Sequence, residues 1–269
     1  MQNLITDTST EDLIPAMESN MVAFWSPYGR AKGNTLHTGG EVDWFYTGIP
    51  FPLFNGVLRL HTNPTGVNET IQILQEKIDT QGAPALWWAC SQSEPGDVGT
   101  ILEQSGLESA GEVPAMAIDL AVLENEPEKP AHFTMQKVTS AEEQSIWAKI
   151  AAMGTGFPDK ATEAMIKTES AITDLQYKQQ HRYIGFLNSE PVATSALVLN
   201  AGVAGIYAVA TLPETRRKGI GNMMTRIPLL EARELGYRVG ILQASSAGYP
   251  LYKKMGFKEI YSYILYLQS

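Results

Sequence analysis

The chain has 269 residues, 44% of them apolar and 18% charged, which suffices for two compact domains and is too hydrophobic for a disordered chain. Its net charge of −9 argues against wholesale electrostatic binding to nucleic acid or to an anionic membrane. The single cysteine, Cys90, excludes an intrachain disulfide and fits a reducing compartment. Because it follows Trp87-Trp88-Ala89 in an apolar run, it reads as a core thiol rather than a nucleophile.

The first residues show no basic region followed by an apolar segment, so no secretory signal is expected and a cytoplasmic location is. Strands are expected over Asp43–Thr47 and Val57–His61, then a helix over Val67–Thr80 starting near Asn68. A strand at Ala85–Cys90, a helix at Val98–Ser105 ended by Gly106 and a strand at Pro114–Leu123 complete the first half. Trp44-Phe45-Tyr46 and Trp87-Trp88 have the spacing of core aromatics. The segment Glu124–Pro130 is charged, holds two prolines and lacks periodicity, which sets domains at 1–125 and 132–269 with a linker at 126–131.

The second half alternates more clearly. A strand at His132–Val138 precedes a helix to about Met153, announced by Ser140 and Glu143 as a capping box. A Gly154–Pro158 loop and a helix at Lys160–Ile172 follow. Next come a hairpin of Arg182–Asn188 and Pro191–Asn200, and a strand at Gly205–Leu212. A long helix from Gly219 to Leu235, with a kink expected at Pro228, stops at Gly236. Val239–Ala244 is a strand, Tyr249–Met255 a short helix stopped by Gly256, and Phe257–Leu267 a last strand. The fold class is α/β, with a mixed central sheet flanked by helices. The two halves echo each other. Leu102–Ser109 before the strand Met116–Leu123 parallels Tyr252–Glu259 before Tyr261–Leu267, so the first half is read as a smaller, degenerate repeat.

Arg216-Arg217-Lys218-Gly219-Ile220-Gly221 breaks local rules. Three cations stand where a helix start favours carboxylates, and a glycine in a first turn costs about 1 kcal/mol against alanine. An anion held by free N–H groups and cationic side chains offsets both costs. Residue 224 is Met where a dinucleotide fingerprint needs its third glycine, and no Gly-Lys-Ser/Thr follows, so neither of those phosphate loops is present. The four histidines, His37, His61, His132 and His181, share no ligand spacing, so no metal site is expected.

Taken with the strand before it and Leu251-Tyr252-Lys253-Lys254-Met255-Gly256-Phe257 some thirty residues on, the loop resembles the signature of the GCN5-related N-acetyltransferase (GNAT) family over roughly Phe133–Leu267. That resemblance implies acetyl-CoA as co-substrate. Lys218, Gly219, Ile220, Gly221 and Asn222 would hold the pyrophosphate through backbone amides, with Arg216 or Arg217 adding a charged contact. Val209, Ala210, Thr211 and Leu212 would line the pantetheine arm. Tyr252 would be the general acid, with Tyr249 the competing tyrosine.

Two departures stand out. Ser245 occupies the position of an asparagine that commonly touches pantetheine, and the strand Gly205–Leu212 lacks the family's frequent glutamate base. A water chain, Tyr207, Glu214 and Asp159 remain alternatives for the base. The loop at Met153–Pro158 lies in the region that shapes the family's acceptor site. The expected activity is acetyl transfer to a primary amine, on a small molecule or peptide, by direct attack. The alternative is an acetyl-CoA-binding sensor without transfer. The first half, lacking a cation cluster at Leu60–Asn68, is expected not to bind CoA. No nucleic-acid or membrane partner is expected, and homodimerisation is left open.

Overall fold

A computed structural model describes residues 4–9, 11–90, 97–124, 129–172 and 180–269. Packing divides the chain into two compact units, neither continuous in sequence: Met1–Phe24 with Met116–Lys258, and Trp25–Ala115 with Glu259–Ser269. The composition-based boundary at 126–131, part of which lies outside the described residues, separates the halves of the sequence. The packing units instead exchange their ends.

In the larger unit the strands are ordered β5 (Glu108–Asp119), β10 (Val239–Gln243), β9 (Val203–Thr211), β8 (Glu190–Asn200), β7 (Gln180–Leu187) and β6 (Phe133–Lys137). The pairs from β6 to β9 are antiparallel and β9–β10 is parallel. Both hairpins turn tightly, through Asn188-Ser189 and Ala201-Gly202, all at positive φ. Helix α4 (Ala141–Thr155) begins with the expected capping box of Ser140 and Glu143, but runs two residues further than its loop-like end suggests, and is capped by Gly156 at φ 81°. Gly154 is therefore helical and buried. A Cβ there would lie 3.0 Å from that of Ala210, so the glycine lets the helix rest on β9. Helices α5 (Asp159–Ala171), α6 (Ile220–Glu234) and α7 (Tyr249–Met255) complete the unit. Pro228 lies inside α6, as expected. One apolar core joins Met223, Met224 and Leu229 of α6 with Ala204, Ile206, Leu242 and Ala244 of the sheet and Tyr252 and Met255 of α7.

The smaller unit repeats the plan in reduced form. Its strands are ordered β1 (Thr35–His37), β2 (Val42–Tyr46), β3 (Asn55–Leu60), β4 (Ala85–Cys90) and β11 (Lys258–Gln268), with β3–β4 parallel. Helix α2 (Pro64–Gln81) starts earlier than expected. Its cap is Asn63, whose side chain accepts from the Gly66 N–H, and not Asn68. Helix α3 (Val98–Gln104) is followed by Gly106 at φ 86°, as α7 is followed by Gly256 at φ 100°. The final strand pairs antiparallel with β4, from Tyr263↔Cys90 to Gln268↔Ala85, and Trp87 Nε1 donates to Gln268 Oε1 at 2.9 Å. Cys90 is buried.

Helix α1 (Leu13–Arg30) and β1 have no counterpart in the sequence reading. Helix α1 hides most of its surface, so its sequence shows no polar face and no clear period.

Candidate functional site

The site grows from a defect in β9. Opposite it, β8 pairs Ala196 with Tyr207 and Thr194 with Ala210, so Ala208 and Val209 together face Ser195. The extra residue forms a bulge with Ala208 at φ 49°, and Thr194 Oγ1 donates to the Ala208 carbonyl at 2.9 Å. Before the bulge Tyr207 faces α1; after it Val209 packs against the α6 core. On the other edge, β9 and β10 pair only at Ala204↔Gly240 and Gly205↔Ile241. Beyond that point the strands part, and β9 carries Tyr207–Thr211 into the opening.

After Thr211 the chain passes Leu212, a 3-10 turn at Pro213–Thr215 and the three cations, all exposed, before entering α6. Arg217 and Gly219 both take left-handed backbone conformations, at φ 64° and 80°. Gly219 is the N-cap and supplies no side-chain hydrogen bond. The first amides of α6 thus meet no capping side chain, and the helix dipole adds partial positive charge there. Among the described residues, a Cβ on Gly219 would meet only Pro130, at 3.9 Å, and one on Gly221 only Leu251, at 3.4 Å. These amides, with Arg217 and Lys218 beside them, fit a pyrophosphate.

Arg216 is occupied differently. Its Nε donates to the Thr211 carbonyl at 3.0 Å and its Nη2 to the Gly154 carbonyl at 2.8 Å. It ties the end of β9 to the end of α4 and so shapes the loop; of the two arginines, Arg217 is left to face an anion. Asn222 accepts from Arg226 Nε at 3.1 Å, which leaves its own backbone amide in the first turn of α6.

Tyr252, on α7, comes to the same place. Its ring packs edge-on against Phe257 at 5.8 Å, and Leu251 beside it approaches Gly221. The hydroxyl lies within hydrogen-bonding reach of Thr225, one turn into α6. Burial pushes its pKa up to about 12, against the pull of that hydrogen bond, so the phenol keeps its proton throughout the neutral range. Tyr249, partly buried, packs at the edge of the core. Ser245 Oγ accepts from the Gly248 N–H at 3.2 Å and so closes the turn that leads into α7, which leaves its own proton to offer.

Of the base candidates, Tyr207 is buried and its hydroxyl donates to Asn20 Oδ1 at 2.9 Å. Burial holds its pKa far above the ordinary phenol range, so it retains its proton and does not serve as a base near neutral pH. Glu214 is exposed on the 3-10 turn beside the loop, and Asp159 is exposed at the start of α5. The side chains that sequence reasoning missed are Asn20 and Phe24, since only the packing of α1 shows that they belong to this unit. Phe24 stacks on Tyr207 at 4.3 Å and 8°. Among the described residues no cluster of three or more His, Cys, Asp or Glu could hold a metal, and no helix is long and apolar enough to cross a membrane.

Residues 177–259 match the family model of the acetyltransferase (GNAT) domain. The fold of the whole chain is similar to that of a GCN5-related N-acetyltransferase from Kribbella flavida, at 17% identity and a TM-score of 0.65, over 93% of this chain and 95% of that one. It is similar to a GCN5-related N-acetyltransferase from Sphaerobacter thermophilus, at 15% identity and a TM-score of 0.61, over 94% and 91%. A tandem GNAT protein from the clavulanic acid biosynthesis pathway shares the fold at 10% identity and a TM-score of 0.61, over 98% and 97%. Residues 177–259, which hold the bulge, the glycine loop and Tyr252, thus match the GNAT acetyltransferase domain, and the fold of nearly the whole chain is similar to that of a tandem GNAT protein.

Proposed function

We propose that the chain transfers an acetyl group from acetyl-CoA to a primary amine by direct attack. The observation that carries this reading is the uncapped start of α6 beside a protonated tyrosine, at the point where β9 and β10 separate. Acetyl-CoA supplies an activated thioester, and the chain's own residues bind it and manage charge. The amides of Lys218–Asn222 take the pyrophosphate, with Arg217 and Lys218 adding charge. The backbone of Val209–Leu212 lies along the pantetheine arm as an added strand would. A backbone N–H near Val209 or Ala210 polarises the thioester carbonyl. Tyr252 gives its proton to the departing thiolate, a direction its high pKa permits at every neutral pH.

The described residues of β9 carry no carboxylate, so the amine loses its proton through water or to a group outside that strand. The same absence favours the competing reading of an acetyl-CoA sensor. Release of free CoA thiol, followed with acetyl-CoA and a panel of primary amines, decides between them. Steady release above the rate of thioester hydrolysis supports transfer; tight CoA binding with no amine-dependent release supports the sensor.

A further inference from the structure

The α1 side of the fork, where β9 and β10 part, carries a polar group whose hydrogen-bond directions are set by the chain itself. Asn20, fully buried on α1, lies against the β8–β9 hairpin. Its Nδ2 is 3.1 Å from the carbonyl oxygens of Val198 and Asn200 and 3.2 Å from that of Val203. Carbonyls only accept, so the amide has one orientation, and Oδ1 points to the Tyr207 hydroxyl at 2.9 Å. Tyr207 has a single proton and must give it to Asn20. Its oxygen therefore offers only lone pairs to anything else. Gly205 makes room for this arrangement, since a Cβ there would lie 2.1 Å from Asn20 Oδ1 and 2.5 Å from the Tyr207 ring.

The complementary donor is Gln243. Ile241 pairs with Gly205, so Gln243, two residues on, stands level with Tyr207 at the last residue of β10. Its Nε2 is buried and approaches the Tyr207 hydroxyl closely enough to pull on the phenol, yet too poorly aligned for a well-formed hydrogen bond, and it has no other partner among the described residues. Ile206, Leu242 and Ala244 share the core of Tyr252, so Tyr207 and Gln243, at the alternate positions, face the other side of the sheet. The general acid and this pair thus flank the fork from opposite faces.

We propose that Tyr207 and Gln243 recognise the acceptor: Tyr207 Oη receives an N–H of the incoming amine, and Gln243 Nε2 donates to a carbonyl oxygen on the adjacent carbon. The acceptor class is an α-amino amide, as at a peptide N-terminus. A carboxylate in that position would want a cation, and none of Asn20, Phe24, Tyr207 and Gln243 is charged. Asn20 is a positioning residue, acting through the orientation of the Tyr207 hydroxyl. This inference rests on the acyl-transfer reading of the fork.

The test compares glycinamide, glycine and ethylamine as acceptors for acetyl-CoA, by thiol release, in the wild type and in Gln243→Leu and Tyr207→Phe. The expected wild-type kcat/KM is at least about tenfold higher for glycinamide than for ethylamine, the size of one neutral hydrogen bond left unmade. In Gln243→Leu that ratio falls to within about twofold while CoA affinity is unchanged. In Tyr207→Phe, KM rises for every amine. An unaltered glycinamide-to-ethylamine ratio in Gln243→Leu overturns the proposal, as does a wild-type preference for glycine. Glycinamide binding to the CoA-loaded protein, measured by calorimetry, separates the two readings. If no amine turns over, acyl transfer fails, and the recognition pair stands or falls on whether Gln243→Leu weakens that binding about tenfold.

Discussion

Two strand-to-helix joints in this molecule share one plan and differ in how they start the helix. In the larger unit β9 bulges at Ala208-Val209, pairs briefly in parallel with β10, and reaches α6 after eight residues, Leu212 to Gly219. In the smaller unit β3 shifts register beside Leu58, pairs in parallel with β4 at Gly56↔Leu86 and Val57↔Trp87, and reaches α2 after three, His61, Thr62 and Asn63. The long joint ends on a glycine that leaves the helix amides without a capping side chain. The short one ends on Asn63, whose side chain takes the Gly66 N–H at 3.1 Å. Thr62 fills the remaining space, since a Cβ at Gly66 would lie 2.2 Å from its Oγ1, and it donates to the Glu41 carboxylate at 2.6 Å. A helix start can be satisfied by its own chain or kept open for an anion, and here the second joint has been closed and given a negative neighbour.

The comparison can be broken most sharply at Gly221. A Gly221→Asp change adds a carboxylate among the amides of the open joint, while its Cβ meets Leu251 only at ordinary contact distance. CoA affinity should fall by roughly a hundredfold or more with the fold retained, as calorimetry and circular dichroism would show. Wild-type affinity in that variant would mean that CoA does not use this joint.

Tyr252→Phe should lower kcat by about a hundredfold and leave the CoA dissociation constant nearly intact. The folded-state pKa lies above the ordinary phenol value of about 10, so the protonated form is favoured by folding. The associated stability is fully present below about 10 and is lost as pH rises through about 12. Tyr252 should therefore contribute no alkaline limb to the kcat profile below about pH 12. A limb near pH 9 that vanishes in Tyr252→Phe would contradict the burial argument.

Arginine substitutions sharpen the comparison further. Arg217→Ala should weaken CoA binding about tenfold, and more at low salt, because it removes an exposed charge beside the amides. Arg216→Ala should chiefly lower the melting temperature, since its guanidinium holds the carbonyls of Thr211 and Gly154. Equal effects of the two on CoA affinity would show that Arg216 also serves the ligand. The smallest change is expected at the closed joint, where Asn63→Ala should cost about 1 kcal/mol of stability, read from chemical denaturation, and leave CoA binding unaltered.

Much of this was legible in residue order. The capping box at Ser140, the helix Tyr249–Met255 and the strand Ala85–Cys90 stand where local pattern puts them, because each is specified by neighbours within a few residues. The glycine loop was legible for a related reason: its cations and glycines violate helix-start preferences at the point where α6 begins uncapped. The sequence could not reveal α1, whose buried surface erases the amphipathic period. Nor could it separate the roles of Arg216 and Arg217, adjacent and chemically identical until one is seen holding two carbonyls.

By itself, the sequence determined the α/β alternation, the repeat of helix, glycine and strand, and the place of the glycine loop at the start of α6. The tertiary structure decided which ends belong to which unit. It gave the last strand to the smaller unit and the first part of α1 to the larger one. It also decided which polar groups gather where β9 and β10 part, because Asn20, Tyr207 and Gln243 are far apart in the chain and meet only through the register of β9 and β10 and the packing of α1. Local propensity acts over a few residues, whereas a hydrogen bond between Asn20 and Tyr207 exists only once the whole sheet has formed.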